Sequence, residues 1–329
     1  MEYTRLSWLP GLTLLAIVAL SAHFVAAHVP GVSALILAVA IGAIISNLTG
    51  TPVWAQSGVD THKLLLETGI VLLGARLTIG QVLETGPLVA GLVIATVAFG
   101  VLFIEVLSRT LFDLGERTGS LLAAGSSICG VSAVIAVAGG IDADENEIAY
   151  AAATVLLFDA VTLVAFPVVG EGLGLSGHVF GIWAGLSMFS TGPVAAAGFA
   201  HSTVAGQWAT LTKLVRNSLI GAVVLVYSLY YARSQAERVE IGELWTRFPK
   251  FVIGFLAVAA LTNLGGATAS QVASIDAVAG WLFALAFAGL GMEIRLAKMR
   301  QVGLTPVLLI LVYLITVSVL SLGVLFLLL

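Results

Sequence analysis

Lys213, Arg216 and Asn217 fall within one turn of an otherwise apolar stretch, Thr210-Leu211-Thr212-Lys213-Leu214-Val215-Arg216-Asn217-Ser218. Spacings of three and four put them on one helix face. A guanidinium offers a planar fork matched to carboxylate, sulfate or phosphate, and an ammonium adds a compact point charge, so the trio points to an anionic ligand. The competing reading pairs Arg216 with Asp159, set in Leu157-Phe158-Asp159-Ala160, and lets Lys213 snorkel toward a surface. Asp159 is the acidic residue placed deepest in an apolar segment. It suits coupling to a proton or sodium ion, or service as counter-ion to Arg216 or Arg76.

Two further stretches break an apolar pattern with hydroxyls, glycine and proline. They are Gly125-Ser126-Ser127-Ile128-Cys129-Gly130-Val131-Ser132 and Ser187-Met188-Phe189-Ser190-Thr191-Gly192-Pro193. Pro193 lacks an amide proton and clashes with the preceding turn, and glycine admits conformations that end a helix. A helix broken at membrane depth presents free amides that suit an anion or free carbonyls that suit a cation. Ser127, Cys129, Gly130, Ser132, Ser190, Thr191, Lys213, Arg216 and Asn217 are therefore the expected lining of a substrate site, with Asp159 and Arg76 as coupling or counter-ion residues. Close helix packing by small residues is the plainer explanation of the same patches.

The elements that position these groups are apolar helices. Of 329 residues 59% are apolar and 10% charged, with a mean hydropathy of +1.09, which places most of the chain in lipid. Eleven apolar segments are expected, at 9–27, 32–48, 64–82, 86–108, 118–140, 145–169, 177–200, 207–231, 249–265, 274–294 and 303–328, in a single integral membrane domain, 1–329. The first is read as a helix and not a removable signal. The longest polar interval, from Tyr231 to Lys250, reads as a surface helix or exposed connector. With the N-terminus cytoplasmic, every basic residue outside the segments falls on the inner side, the C-terminus lies outside, and the acidic Asp142, Asp144, Glu145 and Glu147 form an outer loop.

The small net charge of -4 gives no case for nucleic acid, and a single cysteine excludes an internal disulfide. The five histidines lack ligand spacing, so no metal and no cofactor beyond a coupling Na+ or H+ is expected. An enzyme is disfavoured because paired acids and a Ser/His pair are missing at depth. Glu67, Glu105 and Glu293 read as interfacial or helix-pairing groups.

Leu72-Leu73-Gly74-Ala75-Arg76-Leu77 is similar to Gly289-Leu290-Gly291-Met292-Glu293-Ile294, and Leu37–Asn47 loosely matches Leu256–Asn263. These copies lie seven segments apart and would cross in opposite senses, as in inverted-repeat transporters. The likeness between the stretches at 127–134 and 187–194 fits this less well, since they lie two segments apart. Either that likeness is local or one of the two segments is re-entrant. The first segment lies outside the repeat match and is the expected homodimer interface.

Taken in order, Ser127-Ile128-Cys129-Gly130-Val131-Ser132-Ala133, Asp144-Glu145-Asn146-Glu147-Ile148-Ala149, Phe180-Gly181-Ile182-Trp183-Ala184-Gly185 and Ala209-Thr210-Leu211-Thr212-Lys213-Leu214-Val215-Arg216 resemble the YeiH-type family of bacterial and archaeal sulfate exporters. The likeness spans most of the chain. It implies a ten- or eleven-helix transporter of the broad bile-acid and sodium/proton antiporter architecture, with broken helices crossing at mid-membrane. Where many members of that family carry a histidine and an acid in the second broken segment, this chain has Phe189, Ser190 and Thr191. The combined expectation is an all-α polytopic protein of the cell membrane that moves a small anion, such as sulfate or an organic sulfonate or carboxylate, by alternating access. A sodium/proton antiporter using Asp159 and a non-transporting sensor or partner subunit are the alternatives.

Overall fold

The computed structural model describes residues 8–29, 33–76, 79–231, 250–295, 297 and 302–329. The charged stretch from Arg233 to Arg247, together with Arg5, Leu77, Lys298 and Arg300, lies outside them.

The described residues are helical: α1 (Leu9–His28), α2 (Ala34–Leu48), α3 (Val53–Val59), α4 (His62–Leu73) with a 3-10 turn at Gly74–Arg76, α5 (Ile79–Thr110), α6 (Glu116–Ser127), α7 (Val131–Ile141), α8 (Glu145–Gly172), α9 (Gly177–Ser187), α10 (Thr191–His201), α11 (Thr203–Ser218), α12 (Ile220–Tyr231), α13 (Phe251–Leu261), α14 (Ala269–Glu293) and α15 (Leu304–Leu328). Among them six helical spans are long and apolar enough to cross a membrane: Leu9–His28, Gly86–Thr110, Glu145–Gly172, Thr203–Tyr231, Ser270–Glu293 and Leu304–Leu328. Several starts are set by side chains that accept a first-turn amide: Asp144 and Thr268 form capping boxes with Glu147 and Gln271, and Ser176 and Ser202 cap α9 and α11.

Two compact units divide the chain, one within residues 1–84 and 250–297, the other within 85–249 and 298–329. In the first, α4 and α14 run antiparallel and are pinned at both ends. Arg76, past the C-terminal end of α4, pairs with Asp276 near the start of α14, and Glu293, at the end of α14, pairs with Lys63 at 3.0 Å and faces His62 at 3.6 Å. Glycines let backbones touch: a Cβ on Gly291 would overlap the Val39 carbonyl of α2, and one on Gly74 would overlap the Phe255 carbonyl of α13. Asn47 and Asn263 each donate back to the carbonyl four residues earlier, at 2.7 Å in both cases.

In the second unit the chain departs from expectation. The segments at 118–140 and 177–200, expected to cross, each turn back toward the side they enter from. Arg117 at the start of α6 lies 3.9 Å from Asp142 at the end of α7, and α12 touches both limbs, through Tyr231 to Ser120 at 2.9 Å and through Ser228 against Gly140. Likewise Phe180 of α9 stacks on His201 of α10 with ring centroids 4.2 Å apart, and Gly177 abuts Ser202. Each limb has 11 or 12 residues. At 1.5 Å per residue that is about 17 Å, roughly half a hydrocarbon core.

Helix α8 fixes the relation of the two hairpins. The first, α6–α7, opens at the N-terminal end of α8, which follows it directly; the second, α9–α10, opens at the C-terminal end, where Gly170 packs against Phe180 and His201. Phe166 stacks on Trp183, and Phe158 contacts Phe189, so α9 runs antiparallel to α8 down to its middle. The hairpins thus approach from opposite ends, and the awkward parallel likeness in the sequence becomes an antiparallel pair. This also moves Asp142, Asp144, Glu145 and Glu147 to the same end as Arg117, correcting their assignment to the opposite loop. A polar network secures the first hairpin: Glu105 of α5 accepts from Ser120 (2.6 Å), Tyr227 (2.8 Å) and Arg109 (2.7 Å).

Single cysteines introduced in a Cys129→Ala background test this topology. Arg117→Cys and Asp142→Cys are expected to react with an impermeant thiol reagent from one membrane face, Ser176→Cys and Ser202→Cys from the other; opposite-face labelling within either pair contradicts the hairpins.

Candidate functional site

The hairpin tips, 128–130 and 188–190, meet beside the middle of α8. Gly130 has φ +74°, a left-handed conformation that favours glycine, and an added Cβ would run into the Ser190 hydroxyl. The contact is between the N-cap of α7 and the N-cap of α10.

Helices α6 and α9 end at this place, so their last carbonyls have no continuing helix to donate amides to them. Helix α11 supplies the donors. Arg216, 0% exposed, donates through Nε to Ser127 O (2.6 Å), through Nη2 to Ser126 O (2.5 Å), and through Nη1 to Leu186 O (2.7 Å) and Met188 O (2.8 Å). One guanidinium therefore caps the C-terminal ends of both hairpins. Lys213, also 0% exposed, bridges Ile128 O (2.7 Å) and Met188 O (3.1 Å). A cation suits a helix C-terminus, whose carbonyl dipoles carry partial negative charge. Small residues bring α11 close enough: Gly181 and Gly185 of α9 pack directly on Ala205, Ala209 and Thr212.

Asp159 does the converse at the other polarity. Its carboxylate accepts the Ser190 amide at 3.0 Å and the Ser190 hydroxyl, so it caps the start of α10. The salt bridge weighed between Asp159 and Arg216 is not among the ion pairs of the described residues.

Burial is uneven around the junction. Residues 119–130 and 180–189 are buried, while Val131, Ser190 and Thr191 are half-buried and Ser132 is exposed. The least buried residues of the junction thus lie on the side of the two N-termini, although Gly192 there is buried. There the first-turn amides of Val131 and Ser132, and of Thr191 and Gly192, have no carbonyl within their own helices. Asn217, 5% exposed, donates Nδ2 to Thr191 Oγ1 at 3.0 Å and leaves Oδ1 without a hydrogen bond. The two ends of an amide exchange by a half-turn, so Asn217 offers this face either an acceptor or a donor.

Of the residues singled out in the sequence, Ser127, Cys129, Gly130, Ser132, Asp159, Ser190, Thr191, Lys213, Arg216 and Asn217 come together here. Arg76 belongs to the other unit, where it pairs with Asp276. Lys213 and Arg216 direct the donors described above to carbonyls. Tyr313 was missed. It stacks on Phe189, and its hydroxyl faces Gly100 alongside the Ser127 hydroxyl; a tyrosine in the long apolar run 304–328 was the available signal.

Two substitutions probe the junction. Arg216→Met leaves the Ser126, Ser127 and Leu186 carbonyls without this donor and is expected to cost about 1–3 kcal/mol for each that finds no other partner, seen as a fall in melting temperature of the solubilised protein, with Arg216→Lys recovering only part; a native-like melt for Arg216→Met contradicts the capping role. Gly130→Ala should cost about 1–3 kcal/mol from backbone conformation alone, since its φ of +74° with ψ of −140° is open almost only to glycine, plus the overlap with Ser190. Adding Ser190→Gly should recover the overlap part, read as a favourable coupling in a double-mutant cycle.

The sequence profile of the family described as conserved hypothetical protein 698 matches residues 10–310. A UPF0324 membrane protein of Nitratidesulfovibrio vulgaris is 34% identical over 90% of this chain and 86% of its own length. A UPF0324 membrane protein of Streptococcus pyogenes serotype M18 is 32% identical over 97% of both chains. The UPF0324 membrane protein TauZ of Paracoccus denitrificans is 33% identical over 92% of this chain and 90% of its own. No solved structure matches.

Proposed function

The chain belongs to the conserved hypothetical protein 698 family, the UPF0324 membrane proteins, and from that premise we propose that it is a secondary transporter of a small anion. The anion binds where the N-termini of α7 and α10 converge and is carried by alternating access. The observation behind this reading is the apposition of Gly130 and Ser190, which brings together two helix starts whose first-turn amides lack carbonyl partners within their own helices. Lys213 and Arg216 do not grip the anion; they neutralise the opposite helix ends and raise the local potential. Ser132, Ser190, Thr191 and Asn217 line the site.

The two hairpins support a revised topology. We adopt nine crossings: the six long spans, α2, α4 lengthened by its 3-10 turn to Arg76, and α13 lengthened by the turn at Thr262–Gly266. They keep the basic residues on the cytoplasmic side, with the N-terminus inside and the C-terminus outside. The acidic 142–147 segment moves to the cytoplasmic face. The paired contacts of Gly291 with Val39 and Gly74 with Phe255, and the two oppositely entering hairpins, support an inverted repeat.

The test is thermal unfolding of the purified protein against sulfate, sulfite, methanesulfonate, taurine and small carboxylates, with sodium and a pH series as contrast. At a ligand concentration of 100 times Kd, linkage gives about 2.7 kcal/mol of added stability. Ser132→Glu places a fixed carboxylate in the first turn of α7, where it favours the helix but repels an anion. An anion-specific rise lost in Ser132→Glu is expected. A rise with sodium or pH alone, abolished in Asp159→Asn, overturns the anion reading in favour of cation exchange on Asp159.

A further inference from the structure

Between α2 and α4 the chain forms α3, Val53-Trp54-Ala55-Gln56-Ser57-Gly58-Val59, which at 1.5 Å per residue is about 10 Å long and cannot cross a bilayer. Its residues divide by face. Ala55, Gly58 and Val59 are buried, whereas Val53 is 93% exposed and Trp54 59% exposed. Ser57 and Asp60, farther along the open side, are polar and exposed.

The buried face fixes the depth of this helix. Gly58 meets Gly11, in the first turns of α1, with the two backbones in contact: a Cβ on Gly11 would overlap Ala55 and Gly58, and one on Gly58 would overlap the Trp8 carbonyl. Helix α1 is long and apolar enough to cross a membrane, and its first turns are one end of that span. A helix locked against them sits where headgroups give way to acyl chains. Trp8, exposed just before α1, and Trp54 share this level. Tryptophan favours it because the ring is apolar while its N–H still reaches water.

We propose that α3 is an interfacial anchor, with Val53 and Trp54 inserted at the acyl boundary of one membrane surface and Ser57 and Asp60 turned to the aqueous side. The partner is the lipid surface itself. Two adjoining side chains on a seven-residue helix offer too little area for a stable contact with a second copy of the chain. Anchored in this way, α3 holds the first unit at a set depth through the Gly11–Gly58 contact.

The experiment is power-saturation spectroscopy of a nitroxide on Val53→Cys, in a Cys129→Ala background reconstituted into phosphatidylcholine vesicles, with oxygen and a water-soluble nickel chelate as relaxing agents. The Val53 label is expected to be relaxed by oxygen in preference to the chelate, at a depth of about 5–10 Å into the headgroup–acyl boundary, and a label on Asp60→Cys to show the reverse preference. Relaxation by the chelate at Val53 equal to that at Asp60 places α3 in water and overturns the proposal. Protection of Val53 from both agents shows that protein covers it, and overturns the lipid contact in favour of a second copy. Trp54→Cys reads the same open side and decides if Val53→Cys does not fold.

Discussion

Backbone carbonyls cannot be left bare where water does not reach, and two helices that turn back in the interior leave several of them at one point. The junction in the second unit is organised around that constraint. Ser126, Ser127, Leu186 and Met188 present carbonyls from α6 and α9, and one guanidinium from α11 serves them together. Lysine has the charge but not the planar fork needed to span both tips, which explains why arginine holds this position and Lys213 takes the narrower bridge between Ile128 and Met188. The glycines on α9 follow from the same requirement, since α11 must approach until its side chains reach over the helix ends.

Capping one polarity determines what remains at the other. Once Lys213 and Arg216 are spent on C-terminal ends, the unmatched groups are the amides at the starts of α7 and α10. Asp159 takes the Ser190 amide and its hydroxyl; the other amides face the less buried side. The same arrangement supplies structural closure on one side and an anion-friendly surface on the other. It also ties the two tips to each other through a shared side chain, so a disturbance at one hairpin is felt at both.

Much of this was legible in the sequence. The helix breaks at Gly130 and around Ser190 followed from clustered hydroxyls, glycine and proline, and the helix face carrying Lys213, Arg216 and Asn217 followed from spacing. What spacing could not give was the direction of the chain after each break. A half-length apolar helix followed by another reads as one spanning segment, and the ion pair between Arg117 and Asp142 that reveals the return is a contact between residues far apart in sequence. The role of Arg216 was hidden for a related reason. An arginine in an apolar helix announces a partner, but backbone carbonyls are present everywhere and leave no mark in a sequence that would distinguish them from a bound anion.

The central claim is that an anion sits at the converging N-termini and not on the buried cations. Bromide, a monoanion with an anomalous signal, locates it directly in crystals of the protein. The account predicts an anomalous peak within hydrogen-bonding distance of the amides of residues 131, 132, 191 and 192, near the Asn217 side chain. A peak against the Arg216 guanidinium, or none at the Gly130–Ser190 junction while bromide occupies other places, would contradict it.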